Sequence, residues 1–237
     1  MKIAFISDIH GNIHAFESVL KSIKKDRPDK IVFLGDASTL GMRPIESLDL
    51  LQSLSCDCIM GNHDDFMIAP DKISQYTKDK LVIDTVEWSR ARHLPRHFEF
   101  IRTFLPNLTI PFMSGIDIFC YHGSPRSNME NIKPESPLSG FGEMIRDNPR
   151  RIFIGGHTHV QMLRVVDGTR IVTSGSVGQP FIGYAMPPVK HPWAEYTLIE
   201  ALGKHYEIRF RQVEIDNDRI NREILESDSP MNDFISK

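Results

Sequence analysis

Acidic and imidazole side chains recur in this sequence directly after short apolar runs. Asp8-Ile9-His10 follows Ile3 to Ile6, Gly35-Asp36 follows Ile31 to Leu34, and Gly61-Asn62-His63-Asp64 follows Cys58 to Met60. Further on, His122 closes the run Ile116 to Tyr121, and Gly156-His157-Thr158-His159 follows Ile152 to Ile154. Carboxylate and amide oxygens mixed with imidazoles, without a thiolate, suit Mn, Fe, Zn, Ni or Co rather than a structural zinc site. Asp8 and His10, like His157 and His159, are alternate residues, which an extended segment points the same way. Taken singly, each Asp or His at such a place is an ordinary turn or cap residue. Five in order, each at the end of an apolar run, would require five separate accidents, so the set reads as one metal-binding constellation.

The elements that must position these residues follow from periodicity. Ile3 to Ile6, a helical pattern from Ile13 to Ile23 with Phe16, Val19, Leu20 and Ile23 on one face, and Ile31 to Leu34 form a β-α-β unit. Pro44 suits the first position of a helix carrying Ile45, Leu48, Leu51 and Leu54, and Cys58 to Met60 is a third buried strand. This order predicts a parallel sheet, and ligands in such sheets gather where the strands end at their carboxyl side. From about 65 to 105 the pattern is helical, broken near Leu94-Pro95, and predicts two or three inserted helices. Strands then return at Leu108 to Phe112, Ile116 to Tyr121, Ile152 to Ile154, on both sides of the Asp167-Gly168 turn, and at Tyr196 to Ile199 and Tyr206 to Val213. We expect these to form a second, mainly antiparallel sheet, giving an α/β fold of four layers, α/β/β/α, in a single domain over 1–225 with a loose polar tail at 226–237.

Residues near the ligands divide between chemistry and structure. Asn12 is placed to cap the helix starting near Ile13, and phosphate contact is its alternative role. Arg126, close after His122, is a candidate phosphate clamp because a guanidinium grips phosphate through two bonds. His14 is expected to be structural. Trp88, Arg90, Arg92, His93 and His97 in the helical insert are candidates for a lid or stacking wall, against the plainer reading of a packed helix face.

Composition narrows the class. With 237 residues, 41% hydrophobic and 25% charged, the chain is long enough for a full core and carries no disorder or collagen bias. A formal charge of -3 gives no general attraction to nucleic acid or anionic membranes, so neither stable nucleic-acid binding nor a membrane partner is expected. The three cysteines, Cys56, Cys58 and Cys120, are too few for a disulfide framework and suit a cytoplasmic location. Met1 to Ile6 is too short for a signal-peptide core, and no uncharged apolar stretch of about 18 residues occurs. There is no Gly-rich phosphate loop ending in Gly-Lys-Ser/Thr and no Gly-x-Gly-x-x-Gly after the first strand.

Asp8-x-His10, Gly35-Asp36, Gly61-Asn62-His63-Asp64, His122 and Gly156-His157-Thr158-His159 together resemble the five blocks of the calcineurin-like metallophosphoesterases, over residues 1 to about 200. Ser7 to Asn12, Glu87 to Arg90, Tyr121 to Arg126 and Gly175 to Pro180 are similar to a bacterial and archaeal branch described as diadenosine-tetraphosphatase-like. The resemblance implies that Asp8, His10 and His159 hold one metal ion and Asn62, His122 and His157 a second, with Asp36 bridging them. The ions would be two divalent transition metals, manganese favoured, activating a hydroxide against a phosphomonoester or phosphodiester. It implies that His63 protonates the leaving oxygen, with Asp64 orienting that imidazole or capping a helix. The expected substrate is a small-molecule phosphate ester, a nucleotide such as a dinucleoside polyphosphate ahead of a phosphoprotein. The alternative from another class is a non-catalytic interaction scaffold, as in the retromer subunit with this kind of fold, and retention of His63 beside every ligand argues against it. The chain departs from the branch at Ala37 to Pro44 and at Thr173-Ser174, loops expected to border the site and to govern which ester is taken. Oligomeric state has no signal in the sequence.

Overall fold

A computed structural model describes residues 1–137, 142–147, 151–184 and 189–232. β1 (Lys2–Ile6) alternates its side chains between two cores: Ala4 and Ile6 face the helices, while Ile3 and Phe5 face a second sheet. That period of two across a strand buried on both faces explains why the run carries no polar residue after Lys2. α1 (Ile13–Asp26) is capped by Asn12, whose Oδ1 accepts from Ala15 N–H at 3.2 Å, and it buries Ala15, Phe16, Val19 and Ile23. β2 (Lys30–Phe33) and the short β3 (Asp57–Cys58) lie parallel in register beside β1, with α2 (Pro44–Ser53) crossing between them and Pro44 at its start.

The inserted segment is helical, as its periodicity indicates: α3 (Asn62–Ile68), a 3-10 turn at Pro70–Lys72, α4 (Ile73–Tyr76), α5 (Lys80–Arg92) and α6 (Pro95–Ile101). α5 and α6 divide at Leu94-Pro95, where the residue before proline is held in the extended region (φ −87°, ψ 161°). There are more helices than the two or three expected, because α3 begins at Asn62 itself and the stretch to Thr77 folds into short turns of its own.

β4 (Leu108–Met113), β5 (Ile116–Cys120), β6 (Ile152–Gly155), β7 (Gln161–Val166) and β8 (Thr169–Ser174) form the second sheet in the order β4-β5-β6-β8-β7. The Asp167-Gly168 turn joins β7 to β8 with both residues at positive φ (47° and 82°), the geometry that the right-handed twist of a hairpin requires. α7 (Gly142–Asp147) covers the outer face of this sheet, Ile145 packing with Phe119, Tyr121 and Phe153.

The C-terminal strands depart from expectation. β9 (Trp193–Leu202) and β10 (His205–Glu214) join the first sheet, in the order β10-β9-β1-β2-β3, with β9 antiparallel to β1. The physical reason lies in burial: Leu198 packs into the helical core and Ile199 into the core between the sheets, so β9 needs an interior position that an edge of the second sheet does not offer. Both sheets are therefore mixed rather than one parallel and one antiparallel. The four layers are as expected, with Ile3, Phe5, Val32 and Leu34 meeting Ile118, Ile152, Ile154 and Val172 in the middle. α8 (Asn217–Glu226) follows, and within the segment expected to be a loose tail Ser229 and Met231 are buried, Met231 lying 5% exposed against Met42, Ile220 and Ile224. Residues 233–237 of that segment lie outside the described residues. Among the described residues no helix is long and apolar enough to cross a membrane.

Candidate metal centre

Five strand ends converge on one place. Asp8 follows β1, Asp36 follows β2, Asn62 opens α3 after β3, His122 follows β5, and His157 and His159 follow β6. Asp8, His10, Asp36, His157 and His159 all adopt positive φ, between 48° and 70°, a region that non-glycine residues enter at a cost and usually at functional sites. The surroundings hold them there. Asp8 N–H donates to Gly35 O (2.8 Å) and His10 N–H to Asp36 O (3.0 Å), while Gly178 N–H and the Ser176 hydroxyl donate to Asp8 O at 2.9 and 2.8 Å. The Gly175-Ser176-Val177-Gly178 segment after β8 is thus a brace for the turn that follows the first strand. Gly156 is required by space, because a Cβ there would stand 1.8 Å from Ser7 Oγ.

Two buried groups result, Asp8, His10 and His159 in one and Asp36, His122 and His157 in the other, each able to hold a metal ion. In the first, His159 Nε2 lies 3.2 Å from Asp8 Oδ1 and 3.0 Å from His10 Nε2. In the second, His122 Nε2 lies 3.4 Å from Asp36 Oδ2. Asn62 belongs with this second group, its Oδ1 standing 3.0 Å from both His122 Nε2 and His157 Nδ1. Asp36 stands between the groups: Oδ2 is also 3.8 Å from His10 Nε2, while Oδ1 accepts the His63 N–H at 2.8 Å.

The donor set fits two divalent ions. His122 Nδ1 meets Leu34 O at 2.7 Å and His159 Nδ1 meets Gln179 O at 2.8 Å, contacts that fix each ring and aim Nε2 inward. Asp8 Oδ1 is buried with only the imidazoles of His159 and His10 beside it, at 3.2 and 3.8 Å, an atom that a cation would satisfy. Electrostatics agree. Burial alone would raise the Asp8 carboxyl, yet the charges of His159 and His122 and the His159 hydrogen bond take it down to about 2. Burial opposes charge on His122, yet Asp36, by charge and hydrogen bond, and then Asp8 raise it to about 9. Burial, reinforced by the neighbouring His122, holds His157 down at about 3, and burial together with His159 keeps His10 well below the usual imidazole range. The centre therefore favours positive charge while His157 and His10 are held toward the neutral form, the state in which an imidazole donates a lone pair to a metal.

His63 borders this centre, its ring 5.2 Å from that of His10, and Thr39 Oγ1 lies 2.9 Å from its Nδ1. Burial lowers the His63 pKa, and the charge of Asp36 opposes that shift. Asp64 does not orient this imidazole. Its Oδ2 accepts from Asp36 N–H (2.7 Å) and Gly61 N–H (3.0 Å) and its Oδ1 from Ala37 N–H (2.9 Å), so both oxygens serve the backbone at the start of α3 and in the loop after β2. Burial and then the Asp36 charge raise Asp64 to about 7 against those three donors.

A cleft of about 400 Å³ opens over His10, Asp36, His63, His157 and His159. Arg126 is not brought into its lining: the guanidinium pairs with Glu130, Nε at 3.2 Å, and the cation lining the cleft is Lys133. Asn12 is likewise occupied, as cap of α1 and through Nδ2 to Gly178 O at 3.1 Å. His14 is structural, bonded to Glu223 at 2.8 Å. The residues of the insert considered for a lid pack elsewhere: Arg92 lies 3.9 Å over the Trp88 ring, Arg90 Nε donates to Met67 O, His93 Nδ1 meets Ser89 O and His97 Nε2 meets Asp49. The insert reaches the cleft through Tyr76 and Val82 instead. Sequence reasoning missed Thr39, Tyr76, Lys133, Phe181 and Tyr184. Thr39 lay inside a loop already marked as divergent, whereas Tyr76 and Tyr184 had no periodic or motif signal.

Two mixed five-stranded sheets under helices, with a paired Asp and His centre at their strand ends, define the metallophosphoesterase class of fold. The chain belongs to the calcineurin-like phosphoesterase superfamily, whose domain matches residues 1–186. It is 25% identical over 247 residues to an uncharacterized protein of Methanocaldococcus jannaschii, with 96% of this chain and 93% of that one covered. A metallophosphoesterase from Sphaerobacter thermophilus superposes with a TM-score of 0.72 at 24% identity, over 95% of this chain and 94% of the other. A hypothetical protein from Pyrococcus horikoshii gives 0.78 at 20% identity, over 94% and 92%. At these identities the two structures speak for the fold.

Proposed function

We propose that the chain is a hydrolase of phosphate esters that works with two divalent transition-metal ions, manganese favoured. Asp8, His10 and His159 would hold one, Asn62, His122 and His157 the other, and Asp36 would contact both. The observation that carries this reading is the position of Asp36 Oδ2, 3.8 Å from His10 Nε2 and 3.4 Å from His122 Nε2, between two buried ligand groups at the floor of one cleft. When bound, such a pair of ions stabilises charge on a phosphoryl group and makes water a nucleophile near neutral pH.

The chain's own residues supply the rest. With its Nδ1 paired to Thr39, His63 is free to use Nε2 as the proton donor to the leaving oxygen, a contribution of about 10²- to 10⁴-fold. Lys133 offers a cation to the anionic ester where Arg126 is tied to Glu130. The aromatic lining of Tyr76, Phe181 and Tyr184 favours a small-molecule substrate over a phosphoprotein, and a nucleotide such as a dinucleoside polyphosphate combines the rings and charges that this lining meets. Three free cysteines, two of them buried, suit action in the cytoplasm.

The test is turnover of an aryl phosphate ester by metal-stripped protein before and after Mn²⁺ addition. Activity is expected only with metal, and His63→Ala is expected to lose turnover while still binding both ions. Equal activity without metal would overturn the two-ion mechanism. Two bound ions with no turnover across a broad ester panel would establish the scaffold reading instead.

A further inference from the structure

Tyr76 stands out among the residues lining the cleft. It ends the four-residue α4, which Ile73 anchors in the core, and it is 39% exposed although its ring lies at the centre of the molecule's chemistry. Its centroid is 6.1 Å from the His63 ring in an edge arrangement and 5.9 Å from the His157 ring. Phe66, fully buried beneath it at 5.7 Å, fixes the position of the ring from behind. A ring held from behind by a buried neighbour, with its other side open, is placed to stack on a flat partner. Here the uncovered side faces the cleft. Phe181, stacked on His159 at 4.8 Å, and Tyr184, with Lys133 Nζ 5.6 Å from its ring, also line this cleft, so flat side chains and one cation surround the space above the ligand groups.

We infer that Tyr76 is a substrate-contacting residue that sets specificity: its ring stacks on a planar aromatic leaving group of the ester, beside His63. This deepens the hydrolase reading and rests on it. In the step concerned, water gives up a proton to solvent and its oxygen forms the new bond to phosphorus, the bond from phosphorus to the leaving oxygen breaks, and that oxygen takes a proton from protonated His63, which solvent then reprotonates. Tyr76 takes no proton and makes no bond; it holds the departing group within reach of the imidazole. Ring stacking of this kind tolerates any flat group, so aryl esters and esters of nucleosides belong to the same class.

Kinetics of the manganese-loaded protein with two esters, phenyl phosphate and trifluoroethyl phosphate, separate the possibilities. Tyr76→Leu is expected to lower kcat/KM for the phenyl ester on the order of tenfold and to leave the trifluoroethyl ester within about twofold. Tyr76→Phe, which keeps the ring, is expected to restore the phenyl ester. Equal losses on both esters would overturn the inference by making Tyr76 a support for His63, and so would an unchanged phenyl ester in Tyr76→Leu. Wild-type protein that binds both ions and turns over neither these esters nor any phosphomonoester or phosphodiester of the broad panel would overturn the hydrolase reading itself, a result distinct from either loss.

Discussion

Replacing Asp64 with asparagine discriminates between two roles that the sequence leaves open for it. The carboxylate accepts three backbone N–H groups, two on Oδ2 and one on Oδ1. An asparagine of the same shape has one acceptor oxygen, and its best placement puts that oxygen on the Asp36 and Gly61 donors. The amide NH₂ then faces the Ala37 N–H, which is left buried without an acceptor. A buried unsatisfied donor costs about 1–3 kcal/mol. For a chain of this size each kcal/mol lowers Tm by about 2–4 °C. Because Asp36 and Ala37 form the loop that carries a ligand, the damage should extend to the metal centre: weaker binding of the second ion, seen as lower metal content after dialysis, alongside the fall in Tm. The His63 imidazole keeps its Thr39 partner, so the shape of the pH–rate profile should stay that of the wild type. A variant with unchanged Tm and metal content but a displaced pH–rate profile would refute this reasoning and return Asp64 to the role of orienting His63.

Thr39→Val removes the partner of His63 Nδ1 and should lower kcat by about tenfold with little change in KM, whereas Thr39→Ser should recover most of it; equal loss in both variants would count against the hydroxyl. Glu195, 2% exposed, has its carboxyl raised to about 7 by burial, so folded protein holds a proton between pH 4.5 and 7 that unfolded protein has released. Stability from this group is present below about 4.5 and is lost as pH rises through 7, by at most ~3 kcal/mol, and Glu195→Gln should flatten that part of a Tm against pH curve. The proposed ions would tie loops of both sheets together, so a chelator should lower Tm even in inactive His63→Ala, by the equivalent of about 4 kcal/mol where free metal exceeds Kd a thousandfold. An unchanged Tm would show that the centre holds its shape without them.

What could be read from the sequence, and what could not, divides along physical lines. Asp8, His10, Asp36, Asn62, His122, His157 and His159 converge because each follows a buried run, and a buried run is visible as an unbroken series of apolar residues. The partnership of strands is not visible in the same way. β9 and β10 carry the same kind of apolar pattern wherever they pair, and the place of β9 beside β1, with β10 outside it, rests on packing of Ile3, Leu198 and Ile199 that links the two ends of the chain. Asp64 shows the same limit at smaller scale. A carboxylate next to a histidine in sequence begins α3, where successive residues point about 100° apart, and its oxygens turn back to the Gly61, Asp36 and Ala37 amides. Proximity to His63 falls to Thr39, 24 residues earlier, because the loop after β2 passes over the start of α3.

The features proposed to determine substrate choice are the least local of all. Lys133 and Tyr184 come from segments of irregular backbone, and Tyr76 from a helix of four residues, so none belongs to a repeating pattern that would place it. Conversely, Arg126 looked placed because it closely follows His122, yet Glu130 four residues on engages its guanidinium within the same loop. A ligand must be fixed by rigid strands if two ions are to keep their separation, and rigid strands write periodic sequence. A wall that meets only the leaving group needs no such precision and can sit on loops, which accept change at small cost to stability. That difference in required precision is why the candidate metal groups can be read from the sequence while the proposed ester contacts of Tyr76, Lys133 and Tyr184 cannot.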